Sequence, residues 1–137
     1  MNVDARVEER LKAALAADER ITFAYLFGSQ ATGATHARSD VDVAAWFREP
    51  VPVDADTELN GLVTGAVKHD RVDAVVLNRA PLTLAFEALK GRVLLSRDEG
   101  IRVEATAAIM SRYHDRIYYI RRHLDEFAER VKERGFG

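Results

Sequence analysis

Phe27-Gly28-Ser29-Gln30-Ala31-Thr32-Gly33-Ala34-Thr35-His36-Ala37-Arg38-Ser39-Asp40-Val41-Asp42-Val43 is the stretch from which the fold reads outward. On its amino-terminal side an apolar run, Ile21 to Phe27, stops at Gly28-Ser29. On the other side Asp40-Val41-Asp42 opens a second apolar run, Val43 to Phe47. Two such runs around a connector rich in Gly, Ala, Thr and Ser read as strand, loop, strand. Side chains two apart on a strand share a face, so Asp40 and Asp42 are expected to point the same way. Two carboxylates on one face suit a hard divalent cation, since Mg²⁺ is usually held by one or two carboxylates plus phosphate oxygens. Gly28 lets a phosphate approach the backbone closely, and the turn offers N–H donors to it.

The remaining sequence supports one α/β domain over residues 1–137. Hydrophobic content of 47% and charged content of 31% are those of an ordinary globular protein, and the net charge of −2 points to neither nucleic acid nor a membrane surface. The absence of cysteine removes disulfides and thiolate metal sites. No apolar run reaches the roughly 20 residues of a transmembrane helix, so a cytoplasmic location is expected. Residues 4–18 read as a helix with Asp4 at its N-cap and Val7, Leu11, Ala14 and Leu15 on one face. Ile21–Phe27 is expected to be a central strand, covered on both faces, and Asp40–Phe47 the second strand. Pro50 and Pro52 interrupt the chain before a helix from Asp54 to about Lys68, striped by Leu59, Leu62, Val63 and Val67. Val72–Leu77 is expected as a third strand, a helix with Pro81 in its first turn ends at Gly91, and Arg92–Ser96 reads as an edge strand. The order αββαβαβα with a short β–β connection argues for a mixed sheet of about four strands with helices packed on it.

From Asp98-Glu99 a helical pattern runs to about Lys132. Met110, Tyr113, Ile117, Ile120, Leu124, Phe127 and Val131 recur at alternating spacings of 3 and 4, an a/d seam. Its first half is expected to cover the sheet. The part beyond about Ile117, within a carboxy-terminal helix over 101–134, is left for a partner or a second copy. Arg112, Arg116, Arg121, Arg122 and Arg130 crowd the same region, either as a solvated face or toward an acidic partner or RNA. Tyr113, Tyr118 and Tyr119 are more readily core or interface residues than acceptors of a transferred group.

Gly28-Ser29, a spacer of ten residues and Asp40-x-Asp42 together resemble the nucleotidyltransferase superfamily of DNA polymerase beta, and in particular its minimal MNT-type members. The likeness covers about Ile21 to Asp98, and it implies the nucleotidyltransferase fold. It also implies that Asp73, in Val72-Asp73-Ala74-Val75-Val76-Leu77-Asn78, is a third acid that completes the metal site and helps activate the attacking hydroxyl. Asp40, Asp42 and Asp73 would then be the catalytic and metal-binding residues, with two Mg²⁺ ions and ATP as substrate. Gly28 and Ser29 would bind nucleotide phosphate, and Arg38 and Ser39 reach the triphosphate unless they are simply solvated. Asp70 competes with Asp73 from a polar connector, and His36 lacks a second histidine at ligand spacing. For MNT-type proteins the resemblance implies an antitoxin of a HEPN-domain ribonuclease toxin, transferring AMP to a toxin tyrosine; from the net charge of −2, direct nucleic-acid binding is not expected. Neutralisation by occlusion alone, and transfer to a small molecule of the aminoglycoside kind, are the alternatives.

Overall fold

A computed structural model describes residues 5–28, 41–67 and 72–134. Within them the chain forms α1 (Ala5–Ala17), β1 (Ile21–Phe27), β2 (Val41–Phe47), α2 (Ala55–Val67), β3 (Val72–Val76), a 3₁₀ turn (Leu77–Arg79), α3 (Leu82–Leu89), β4 (Arg92–Ser96) and α4 (Glu99–Arg134). The sheet order is β3-β2-β1-β4, with β1 antiparallel to both neighbours and β2 parallel to β3. This is the mixed four-stranded α/β architecture that the element order called for. The helix cap at Asp4, the Gly28–Ser39 connector beyond Gly28, and the Lys68–Arg71 connector containing Asp70 lie outside the described residues.

Both faces of the sheet are covered. Leu11 and Leu15 of α1 and Leu59, Val63 and Val67 of α2 bury Ala24, Leu26, Val43, Ala45 and Phe47 on one side. Ala85 and Ala88 of α3 with Ala105 and Ile109 of α4 bury Phe23, Tyr25 and Ala44 on the other. Strict alternation would put Ile21 and Phe23 on the same face, yet they enter opposite cores. A register shift between these residues, where Ile21 opposes Phe47 and Phe23 opposes Trp46, adds one residue to β1 and turns Ile21 over. Phe23 then stacks on Trp46 at 5.6 Å and meets Tyr25 edge-on at 6.0 Å, which fills the second core with aromatic contact.

Two asparagines fasten β3 and the end of β2. Asn60 of α2 donates to the Ala74 carbonyl at 2.9 Å and accepts from its N–H at 3.2 Å, so the outer edge of β3 is satisfied by a side chain. Asn78 does the same for Phe47, accepting from its N–H at 2.7 Å and donating to its carbonyl at 2.9 Å. That pairing draws Leu77 out of the expected strand into the 3₁₀ turn. Pro81 precedes α3 as its cap residue, with ψ 143°, one position before the helical turn expected to contain it.

Asp98 caps α4, its Oδ1 accepting from the Ile101 N–H at 3.1 Å. At 36 residues the helix spans about 54 Å at 1.5 Å per residue, more than the sheet can cover. Its sheet-facing stripe is Ala105 and Ile109, with Tyr113 stacked on Phe86 at 3.8 Å. Met110, expected at the head of the seam, is exposed because it lies one residue past the buried Ile109. From Tyr118 to Arg130 every residue is exposed. No described helix is long and apolar enough to cross a membrane.

Candidate active site

The end of β1 and the starts of β2 and β3 meet at one end of the sheet. Phe27 opposes Asp42 across the antiparallel pair, and Asp42 opposes Asp73 across the parallel pair. Residues in register on adjacent strands point to the same face, with strands about 4.8 Å apart. On β2, Asp42, Ala44 and Trp46 alternate with Val43, Ala45 and Phe47, which line the α1/α2 core. Both carboxylates therefore stand on the face covered further down by α3 and α4. Asp42 is half-buried and Asp73 is exposed.

Gly28 leaves β1 with φ +89°, a backbone conformation that side chains disfavour. A Cβ at this position would lie 2.7 Å from the Asp42 Cγ. Only glycine lets the chain turn away from β1 against that carboxylate. A second close approach supports the wall of the site. A Cβ at Gly91, just after α3, would come within 2.8 Å of the Phe27 Cβ, so the turn into β4 seats directly on the last residue of β1.

Of the residues singled out in the sequence, Gly28, Asp42 and Asp73 are thus brought together, whereas Ser29, Arg38, Ser39 and Asp40 lie outside the described residues. Asp40 precedes the first residue of β2 directly in sequence. Among the described residues no group of three or more histidine, cysteine or acidic side chains is arranged to hold a metal. The pair that is present, two carboxylates in register beside a glycine that lets one of them pack against the backbone, is a hard-oxygen donor set that fits Mg²⁺. Asn60 was not singled out in the sequence, and Gly91 was read only as the end of a helix. A lone asparagine or glycine inside a helical or turn pattern carries no signal of the strand edge or side chain it meets.

The model of the family described as polymerase beta, nucleotidyltransferase, matches residues 9–100. The chain belongs to that family. A comparison with curated proteins gives no match. Among solved structures, a chain of a toxin–antitoxin complex with AMP-PNP is similar over 88% of this chain and 98% of its own, with TM-score 0.69 and 22% identity. A chain of the MntA–HepT toxin–antitoxin complex covers 89% of this chain and 97% of its own, with TM-score 0.66 and 20% identity. A third is from the tri-AMPylated Shewanella oneidensis HEPN toxin in complex with MNT antitoxin, with TM-score 0.67, 19% identity, and coverage of 89% and 96%. At these identities the likeness establishes the fold alone.

Proposed function

We propose that the protein transfers AMP from ATP to a hydroxyl of a partner protein, a tyrosine of a HEPN-type toxin, and so acts as that toxin's antitoxin. The observation that carries the reading is the register of Asp42 with Asp73 beside Gly28. Family membership supplies the reaction class. The partner and the transferred group are supported by fold neighbours that include a complex with AMP-PNP and an AMPylated HEPN toxin.

In this mechanism Asp42 and Asp73, together with Asp40, would hold Mg²⁺. When bound, it supplies charge neutralisation for the triphosphate and stabilises the attacking and leaving oxygens of an in-line displacement. Gly28, lacking a Cβ, lets the Asp42 carboxylate pack against the end of β1. The acceptor oxygen attacks the α-phosphorus, the α–β bridging P–O bond breaks, and pyrophosphate leaves with the electron pair. The exposed Asp73 takes the hydroxyl proton, a role open to it because it borders solvent where a partner's side chain can arrive.

The test is incubation of purified protein with Mg²⁺, α-labelled ATP and a HEPN-type partner. Label on the partner, lost with Asp42→Asn, is the expected outcome. Full neutralisation of the partner by Asp42→Asn without label transfer would replace the reading with one of binding alone.

A further inference from the structure

The outer half of α4 separates its charges in a way that solvation alone does not require. Ile117, Ile120, Leu124, Phe127 and Val131 form one stripe, and Ile120, Leu124 and Phe127 are 45%, 62% and 53% exposed. In heptad terms these are a and d positions. The flanking e and g positions carry His114, Arg116, Arg121, His123, Ala128 and Arg130, without a single acid. The acids of the same segment, Asp115, Asp125, Glu126, Glu129 and Glu133, all sit on the outer b, c and f positions. Glu126 is engaged there by Arg122 at 3.5 Å and His123 at 3.9 Å. Among the described residues Arg116, Arg121 and Arg130 form no ion pair.

This arrangement selects its occupant. Two copies of α4 paired through the stripe would set arginine against arginine in either orientation, since parallel pairing joins g to e and antiparallel pairing joins g to g and e to e. Like charges at these positions act against pairing. RNA would be held by the arginines but has no use for an uninterrupted Ile/Leu/Phe stripe between them. An apolar helix flanked by Asp or Glu satisfies both features. We infer that residues 117–131 of α4 form a docking surface for an amphipathic, acid-flanked helix of a different protein.

The foot of the surface is also shaped. Where α4 leaves the body, Leu77, Leu82 and Ile109 together with the polar Asn78, Arg112 and Arg116 line a cavity of about 180 Å³. Arg116 belongs to both features, so the basic flank of the stripe continues into this recess. The inference uses none of Gly28, Asp42 or Asp73, and it stands or falls separately from nucleotide transfer.

The experiment uses the full chain and two labelled synthetic helices, both with Leu at a and d, one with Glu and the other with Lys at e and g. Fluorescence anisotropy without nucleotide should show the Glu-flanked helix binding at least about tenfold more tightly, with the preference shrinking as salt rises. Joint Arg116→Glu, Arg121→Glu and Arg130→Glu substitution should reverse the order, and Leu124→Asp with Phe127→Asp should abolish both interactions. Sedimentation should give a monomer. Equal affinity for the two helices, no binding of either, dimerisation abolished by Leu124→Asp, or displacement of the Glu-flanked helix by an RNA oligonucleotide would each overturn the inference.

Discussion

Replacing Gly28 with alanine tests whether the turn after β1 positions the acid beside it. The backbone at φ +89° costs a residue with a Cβ about 1–2 kcal/mol. For a chain of this length each kcal/mol lowers the melting temperature by about 3–4 °C, so Gly28→Ala should melt about 3–8 °C lower. The second effect is local. The added Cβ would overlap the Asp42 Oδ2 and lie 2.7 Å from its Cγ, whereas ordinary contact begins at 3.4 Å, so the carboxylate must move by about 1 Å or more to clear its oxygen. A displacement of that size at a reacting centre costs about 10²-fold in rate. Thermal melts and label transfer from ATP read the two effects separately. Asp42→Ala in the same background removes the group that collides, so the double variant should lose less stability than the two single variants' losses added together. An unchanged melting temperature together with an unchanged transfer rate in Gly28→Ala would refute the reasoning.

Asp73→Asn keeps the shape of an exposed side chain but removes its charge and basicity; transfer should fall by about 10²-fold or more while the melting temperature stays within a degree or two. Asn60→Ala should cost about 1–3 kcal/mol in a denaturant titration, because both Ala74 backbone groups lose their partner, and transfer should weaken as β3 and Asp73 loosen. Acid should also destabilise the fold. The Arg102 guanidinium, with Ser96, holds the Glu99 carboxyl down to about 2 from its ordinary 4.5, and Arg20 lowers that of Asp18. Both groups have depressed folded values, so their stabilisation is full above about pH 4.5 and is lost as pH falls toward 2. Melts of Glu99→Gln and Asp18→Asn across this window should show a shallower loss than the unmodified protein.

Much of the fold was legible because local signals and burial agree. Ile21–Phe27 and Arg92–Ser96 have the bounds their apolar runs indicated, and β1 is central as its lack of polar residues implied. The departures have local causes that a one-dimensional pattern does not hold. Leu77 continues the apolar run of β3, but the Asn78 side chain reaches back to Phe47 and ends the strand. The bulge near Thr22 follows from two aromatic residues needing the α3/α4 side while Ile21 fills the other core. On α4 the strongest heptad signal lies over the exposed half, whereas the small Ala105 and Ile109, which pack on the sheet, fall outside that seam. In the candidate site, Asp42 and Gly28 could be read from their motif. Asp73 was expected from the resemblance, and the parallel pairing of β2 and β3 adds its register directly opposite Asp42.

The reach of α4 has a consequence for how it holds its shape. Starting a helix is the costly step, and isolated segments shorter than about 12–15 residues are marginal in water. Here the turns around Ala105 and Ile109 are fixed by the core and serve as the nucleus, so the outer turns need only propagate from it. Amide hydrogen exchange should therefore slow toward the docked end and quicken steadily toward Arg134, one turn at a time. A partner that settles on the outer turns meets a track already wound and in phase, and it suppresses fraying instead of creating order from coil.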